Sequence, residues 1–288
     1  MALSKPSVFS LDTTYRLNSG HEIPALGYGV YLTPPATCEE VTTYALRVGY
    51  RHIDSAVAYE NEQPCAKAVA ASGLKREQVF FTTKVQPQDM GYERTALSIQ
   101  TSLSTTGFDY IDLYLIHAPF GGKEARLGTW RALSEARDAG KIRSIGVSNY
   151  GIHHLEELEE YIKSTGSSSV IDVGQWEIHP WLPRQDIVDW CGKRNIVVEA
   201  YCPVVRGERK DEKVLQDLSR KKGKTWAQIL LRWSLQKGFV PLPKSETPSR
   251  IQDNANLYDF ELDADDMESL NFPTSYAPCA WDPTTSHD

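Results

Sequence analysis

Short apolar runs recur through the sequence, and each is followed by a segment with helical periodicity. The runs are rich in β-branched and aromatic residues, and several intervening segments close with glycine, the usual residue just beyond a helix end. In chain order the runs are "IPALGYGV", "YRHIDS", "VFFTTKV", "YIDLYLIH", "IRSIGVSN", "VIDVGQWE", "IVVEAY" and "GFVPLPKS". This alternation predicts an α/β fold in which helical crossovers connect the strands of a parallel sheet.

The spacing of the strand ends predicts how the sheet is arranged. Successive ends are separated by about 30, 33, 31, 27, 26 and 42 residues, so each interval holds one strand–helix unit. The ends used for this count are Asp54, Lys84, His117, Ser148, Gln175, Tyr201 and Pro243. Eight units predict closure into a (β/α)8 TIM barrel, and we expect a single domain over residues 1–288.

Segments at both ends of the chain extend the predicted barrel. "YRLNSGHEIPAL" contains two short alternating runs around an Asn-Ser-Gly turn, which predicts an N-terminal β-hairpin. Residues 262–288 are rich in proline and polar residues, and we expect an extended C-terminal segment that wraps the outside of the barrel.

Two nucleotide-binding motifs are incomplete, which argues against a doubly wound sheet. "GYGVYL" lacks the third glycine of the dinucleotide fingerprint and leads into "TPPA" instead of a helix. The Walker-like "GKT" at residues 223–225 lacks its upstream glycine, because Leu218 occupies that position.

Composition narrows the range of partners. A net charge of −7 argues against nucleic acid or an anionic membrane as the main partner, and no apolar run is long enough for a signal peptide or a membrane span. The five cysteines are scattered without a C-x-x-C pair, which favours reduced thiols over disulfides or a zinc site. We therefore expect a monomeric, cytoplasmic protein without a metal centre.

Polar residues end three of the predicted strands. Asp54, Lys84 and His117 each close an apolar run, and Tyr59 lies in the loop that leaves the strand of Asp54. Because the carboxyl ends of barrel strands converge on one face, these four side chains are expected to meet, and residues at that face are catalytic candidates.

Five motifs resemble those of the aldo-keto reductase superfamily, in the same order and with the family's spacing. They are "GYRHIDSAVAYENE", "FTTKV", "YIDLYLIH", "IGVSNYG" and "PLPKSETPSRIQDN", within a likeness that runs from about Tyr15 to Leu270. The resemblance implies reduction of an aldehyde, aldose or ketone by NADPH. It assigns a catalytic tetrad, with the tyrosine as the acid, to Asp54, Tyr59, Lys84 and His117.

The chemistry of carbonyl reduction accounts for these residue types. The developing alkoxide needs a proton, and a free tyrosine with a pKa of about 10 is a weak donor near neutral pH. A lysine cation about 4 Å away contributes on the order of 4 kcal/mol at an effective dielectric near 20, more than the roughly 2.7 kcal/mol that lowers a pKa by two units. We therefore expect Lys84 to lower the pKa of Tyr59, with Asp54 keeping the lysine charged. His117 is expected to orient or polarise the carbonyl oxygen.

Residues at the later strand ends are candidates for nicotinamide contacts. Tyr201 offers a flat face for stacking, and Ser148, Asn149 and Gln175 carry groups that can hydrogen-bond a carboxamide. The resemblance gives these residues the same roles.

The segment "PKSETPSR" has the composition of a phosphate site. Lys244, Ser245 and Arg250 follow the last strand near a helix start, and each charge-assisted bond contributes about 1.5–3 kcal/mol. This favours NADPH over NADH. By resemblance, the cofactor site also includes Gly29, Val30, Asp253 and Asn254.

The substrate side departs from many family members, which place tryptophans there. This chain has Tyr31, Gln86 and Ala118 at the corresponding positions, and the connection "APFGGKEARLGTW" is short. Both features resemble the short-loop microbial and fungal branch and imply a more open, more polar pocket. Gly174 stands where relatives commonly have asparagine.

Structural roles are the alternative for several of these residues. Asp54 and Lys84 could form an ion pair that only ties two strands, and His117 could be a core histidine. Asn61 is expected to cap a helix, and the pair His153 and His154 is expected at the surface.

Two other functions compete with carbonyl reduction. A Schiff-base aldolase would use Lys84 as its nucleophile, and a cofactor-binding module would hold NADPH without turnover. The motifs favour a reductase, and an aldose, a small aldehyde, a keto acid or a polyketide-derived ketone would each fit as its substrate.

Overall fold

The computed structural model describes residues 9–287 and has strands at all eight predicted runs. Two further strands, β1 (Thr14–Arg16) and β2 (Glu22–Pro24), pair antiparallel in the predicted hairpin. The barrel strands are β3 (Tyr28–Gly29), β4 (His52–Asp54), β5 (Phe80–Val85), β6 (Ile111–Ile116), β7 (Ile142–Ser148), β8 (Val173–Glu177), β9 (Val197–Tyr201) and β10 (Val240–Pro241). Residues 1–8 and 288 of the predicted domain lie outside the described part of the chain.

The eight strands lie parallel in sequence order, from β3 to β10. Backbone hydrogen bonds from Gly27 N to Pro241 O (3.1 Å) and from Gly29 N to Pro243 O (3.0 Å) join the first strand to the last. A Cβ atom on Gly29 would lie 3.2 Å from Leu242 O, so a glycine allows this close approach. The predicted (β/α)8 barrel is confirmed.

Helices follow the strands and cover the outside of the barrel. They are α1 (Pro35–Val48), α2 (Glu62–Ala71), α3 (Tyr92–Thr106), α4 (Gly122–Asp138), α5 (Ile152–Thr165), α6 (Gln185–Gly192), α7 (Lys213–Lys222), α8 (Trp226–Lys237), α9 (Pro248–Ala255) and α10 (Ala264–Ser269). The longest interval between strand ends, from Tyr201 to Pro243, is long because it contains two helices, α7 and α8. No helix within residues 9–287 is long and apolar enough to cross a membrane.

The strands read as continuous apolar runs because both of their faces are covered. Every residue of β5 and β6 is buried, as expected for parallel strands between a packed barrel interior and a layer of helices. The polar residues that remain inside these strands therefore need partners within the protein.

The C-terminal segment was predicted to wrap the outside of the barrel, but only part of it does so. Helix α10 lies on the exterior, where Asp266 pairs with Lys221 (2.6 Å). Farther along, however, the carboxylate of Glu177, at the end of β8, accepts hydrogen bonds from Cys279 N (2.6 Å) and Ala280 N (3.0 Å). This draws the segment onto the face where the strands end.

Two local predictions were wrong. Asn61 precedes α2, but its side chain does not cap the helix; its Nδ2 donates instead to Val30 O (2.9 Å) and Thr33 O (3.2 Å). His154 is buried, and its Nδ1 accepts a hydrogen bond from Gly151 N (3.1 Å), whereas His153 is exposed as expected. The five cysteines are free thiols, as predicted.

Candidate active site

Three side chains from consecutive strand ends and one from the loop after the first of them meet at the mouth of the barrel. Asp54 ends β4, Lys84 lies next to the last residue of β5, and His117 directly follows β6. Tyr59 ends a short 3-10 turn after β4. The structure thus brings together the predicted tetrad, with Lys84 inside the barrel rather than on its exterior.

Lys84 and Asp54 form a buried ion pair. Lys84 Nζ lies 2.8 Å from Asp54 Oδ1 and 2.9 Å from Oδ2, and it also donates to Ser55 O at 2.7 Å. The lysine side chain has no exposed surface. The three hydrogens of the ammonium group therefore have acceptors within the protein.

Tyr59 packs against both the lysine and the histidine. Its ring centroid lies 5.0 Å from Lys84 Nζ and 5.6 Å from the His117 ring, with the two rings nearly perpendicular at 74°. Burial, followed by the nearby Asp54 carboxylate, raises the pKa of Tyr59 well above its ordinary value. The expected lowering of this pKa by Lys84 is therefore not found, because burial and the Asp54 carboxylate both favour the neutral phenol. Tyr59 is a protonated phenol at neutral pH.

His117 is a neutral imidazole. Burial, followed by the charge of Lys84, lowers its pKa to about 3. Its Nδ1 is buried and has no hydrogen-bond partner among the described residues.

A second layer of polar residues lies beneath the tetrad. Gln175 Nε2 donates to Asp54 Oδ2 (2.9 Å) and to Glu199 Oε2 (2.7 Å), and Glu199 is fully buried in β9. Burial, followed by the charge of Asp54, raises the pKa of Glu199 to about 8. Sequence reasoning missed this glutamate, although a carboxyl group inside the apolar run "IVVEAY" is a signal for it.

The predicted nicotinamide residues form one hydrogen-bonded chain. Tyr201 OH donates to Asn149 Oδ1 (2.8 Å), and Asn149 Nδ2 donates to Ser148 Oγ (3.1 Å) and His117 O (2.9 Å). Ser148 Oγ in turn donates to Gln175 O (2.9 Å). Both hydrogens of the Gln175 amide are donated to carboxyl groups, so its Oε1 is the atom of this amide that can accept a hydrogen bond from a ligand.

The predicted phosphate residues surround the start of α9. Arg250 is exposed in the first turn of that helix, whereas Lys244 Nζ already pairs with Glu246 Oε1 at 2.6 Å. Ser245 is buried and accepts from Thr247 N (3.1 Å). Asn254 is also buried, and Asp253 is exposed. Arg250 is thus the cation most accessible to a phosphate group.

The contacts at Gly29 and Val30 are structural. Gly29 allows barrel closure, and Val30 is buried with its N donating to Asp54 O (3.1 Å) and its O accepting from Asn61. The backbone N–H and C=O of Val30 thus both have partners within the barrel.

The predicted substrate residues differ in accessibility. Tyr31 is 46% exposed, and its ring centroid lies 5.0 Å from that of Tyr59. Ala118 is fully buried, and Gln86 Nε2 is held by Asp89 Oδ2 at 2.9 Å. Of the three, Tyr31 alone presents a large free surface at the mouth.

Two further aromatic residues, which sequence reasoning missed, lie beside the mouth of the barrel. The Trp281 ring lies 6.0 Å from the His117 ring and 5.7 Å from that of Phe120, and Trp281 is 44% exposed. The mouth is therefore more aromatic than expected. A lone tryptophan in a proline-rich segment was the available signal.

Glu177 holds this tryptophan-bearing segment and has no free oxygen. Besides the two backbone N–H groups described above, its Oε1 contacts His179 Nε2 at 2.8 Å. Ligand atoms of Glu177, His179 and Cys279 lie within 4.8 Å of one another, but the carboxylate is already occupied by these donors.

A barrel that carries a carboxylate, a lysine, a tyrosine and a histidine at its strand ends has the arrangement of a barrel enzyme with an acid–base site. The model of the Aldo/keto reductase family matches residues 26–271. The chain therefore belongs to the aldo/keto reductase family, a family of oxidoreductases.

Individual relatives agree with this assignment. The glyoxal reductase of Bacillus subtilis is 41% identical over 263 residues, which is 91% of this chain and 93% of that protein. The crystal structure of an aldo/keto reductase from Brucella melitensis matches with a TM-score of 0.85 and 38% identity, covering 92% of this chain and 98% of that one. An aldo-keto reductase of Bombyx mori, solved in complex with NADP, matches with a TM-score of 0.83 and 31% identity, covering 91% and 93%.

Proposed function

We propose that this protein reduces an aldehyde or ketone to an alcohol with NADPH, and that Tyr59 donates the proton. The observation that carries the proposal is the packing of the Tyr59 ring against both Lys84 Nζ and the His117 ring. Asp54 holds the lysine in place through an ion pair. A phenol, a buried cation and a neutral imidazole then face one reacting oxygen.

Each residue has a separate task in this scheme. Tyr59 holds its proton in the resting state and releases it when negative charge develops on the carbonyl oxygen. Lys84 stabilises the resulting phenolate, and Asp54 keeps the lysine in place. His117, being neutral, is suited to orient the carbonyl by a hydrogen bond without competing as an acid.

The residues present fit a nicotinamide cofactor with a 2′-phosphate. Gln175 Oε1 and Asn149 Oδ1 are acceptors suited to the amide hydrogens of a carboxamide, beside the ring of Tyr201. Arg250 and Ser245 suit the phosphate, and the exposed Arg250 is the main cation there. When bound, NADPH supplies the hydride.

The relatives support the same chemistry. The Bacillus subtilis relative is named a glyoxal reductase, and the Bombyx mori structure holds NADP. The aromatic mouth formed by Tyr31, Phe120 and Trp281 favours carbonyl compounds with an apolar substituent. A monomeric state and a cytoplasmic location remain predictions.

The aldolase alternative is less well supported. A Schiff-base lysine must present a free amine to a carbonyl carbon. Lys84 Nζ instead donates to three oxygen atoms and is fully buried.

Replacement of Tyr59 tests the proposal. Tyr59→Phe should lower kcat by about 100-fold or more, the range of general acid catalysis, while the Kd for NADPH changes little. Turnover is followed by NADPH absorbance with a panel of aldehydes and ketones, and NADPH binding by fluorescence. Tyr44→Phe, on the partly buried surface of α1, is the matched control. Near-normal turnover of Tyr59→Phe would show that another group donates the proton.

A further inference from the structure

Glu199 lies at the centre of the barrel, directly behind the catalytic ion pair. Its Oε2 accepts a hydrogen bond from Gln175 Nε2 (2.7 Å), and the same nitrogen donates to Asp54 Oδ2 (2.9 Å). One amide group therefore bridges two buried carboxyl groups. Glu199 Oε1 has no hydrogen-bond partner within the described chain and lies 3.5 Å from His52 Nε2.

The cluster contains fewer positive charges than acidic groups. The ionisable groups that face Glu199 are Asp54 and His52 from β4 and Lys84 from β5, with Tyr59 beyond them. Lys84 is bound by both oxygens of Asp54. Burial, followed by the charge of Lys84, lowers the pKa of His52 to about 3, so this histidine is neutral.

Glu199 is therefore left without a cation, and its neutral form is favoured. An ionised carboxylate at this depth would lack a counter-charge and would face the negative charge of Asp54. In the neutral acid, by contrast, Oε2 still accepts from Gln175, while the O–H on Oε1 faces His52.

We propose that Glu199 is a positioning residue of the reduction: in its neutral form it fixes the Gln175 amide, and through that amide it keeps Asp54 oriented toward Lys84. The inference rests on the proposed function. It gives Gln175 two roles, since the amide supports Asp54 through Nε2 and leaves Oε1 for the cofactor.

Ionisation of Glu199 changes both roles in a predictable direction. The new negative charge binds Gln175 Nε2 more strongly and pulls it from Asp54, which displaces Oε1 and weakens NADPH binding. The same charge favours retention of the proton by Tyr59, so Tyr59 becomes a weaker acid. Turnover should therefore decline as the pH rises through about 8, the pKa of Glu199.

Two substitutions separate the charge of Glu199 from its hydrogen bond. Glu199→Gln keeps an acceptor for Gln175 but cannot ionise, so the variant should show a fewfold lower kcat at pH 7 and no decline between pH 7 and 9. Glu199→Ala removes the acceptor and should lower kcat by about 10-fold, the size of one lost hydrogen bond. Glu160→Gln, on the exposed face of α5, is the control and should retain the wild-type pH profile.

Infrared spectroscopy and NADPH-binding titrations give readouts that need no turnover. The wild type should show the C=O band of a protonated, buried carboxyl at pH 6.5, and this band should disappear as the pH rises through 8 and be absent in Glu199→Gln. The Kd for NADPH, measured by fluorescence, should rise above pH 8 in the wild type but not in that variant.

The outcomes distinguish this inference from the proposed function. A wild type that consumes no NADPH with any carbonyl overturns the function, while the infrared and binding titrations still test Glu199. Absence of the protonated band at pH 6.5 overturns the role of Glu199, and so does an alkaline decline in binding or turnover that persists in Glu199→Gln. If Glu199→Gln does not fold, the wild-type infrared titration alone decides, since a carboxylate already ionised at pH 6.5 contradicts the proposal.

Discussion

Arg250 and Lys244 show how differently two nearby cations can be placed. Lys244 lies 2.6 Å from the carboxylate of Glu246, which offsets much of its charge, whereas the guanidinium of Arg250 is exposed in the first turn of α9. A 2′-phosphate at this site would therefore be bound mainly by Arg250, with bidentate geometry available to it.

Arg250→Met should weaken NADPH binding by roughly 10- to 100-fold, the loss expected for one charge-assisted hydrogen bond. NADH binding should hardly change, because NADH carries no 2′-phosphate. The penalty for NADPH should shrink at high salt, since this side chain faces solvent. Fluorescence titration with both cofactors measures these effects, and Arg47→Met, an exposed change on α1, is the control. Equal losses for NADPH and NADH would point instead to damage of the final loop.

At the level of single residues, the sequence identified which groups meet but not how their hydrogen bonds are distributed. Asp54, Lys84 and His117 were predicted from strand ends, because a barrel brings those ends together. The pKa of Tyr59 was predicted in the wrong direction, because strand spacing reveals neither how deeply the phenol is buried nor how near the Asp54 carboxylate lies to it. The contact of Glu246 with Lys244 was also overlooked, and Glu199 was missed although its carboxyl group lies inside an apolar run.

Among the elements, the C-terminal segment differs most from its prediction. Its position depends on the buried carboxylate of Glu177, about 100 residues earlier in the chain, and that pairing has no local signature. Burial alone would raise the pKa of Glu177, but hydrogen bonds from His179 and from the backbone of Cys279 lower it below its ordinary value. The ionised carboxylate thus holds Trp281 over the mouth.

Glu177→Gln should loosen this segment, because an amide presents one acceptor and one donor to groups that all donate. A loss of about 1–3 kcal/mol raises the local opening equilibrium by roughly 5- to 150-fold. Hydrogen exchange at the amides of residues 279 and 280 should accelerate accordingly, with Glu160→Gln as the control. Unchanged exchange at these amides would show that other contacts hold the segment.

For the whole molecule, the sequence was most informative where burial dictates composition. Parallel strands covered on both faces are mostly apolar, so their runs and intervals revealed the barrel and its eight units. The same burial moves the pKa values of Glu199 and His52, both inside the barrel, far from normal. Their titration therefore affects the stability of the entire fold.

The pH dependence of unfolding follows from these groups. The pKa of Glu199 is raised to about 8 in the folded protein, whereas an unfolded glutamate titrates near about 4.3. Between these values the folded state binds the extra proton, so the contribution of Glu199 to stability falls as the pH rises, and it is constant below and above this window. His52 acts in the opposite sense, because its pKa in the folded protein is lowered to about 3. Its contribution to stability is fully present above about pH 6.5, the pKa of an unfolded histidine, and is lost as the pH falls toward 3.

Comparison of the wild type with Glu199→Gln isolates the glutamate, because the contributions of groups that the substitution does not affect cancel in the difference. The variant should gain stability relative to the wild type as the pH rises from about 4.3 to 8, reaching a few kcal/mol, with no further change at higher pH. Urea unfolding at several pH values measures this difference. A difference independent of pH would mean that Glu199 is ionised throughout, with a counter-charge such as a protonated His52 beside it.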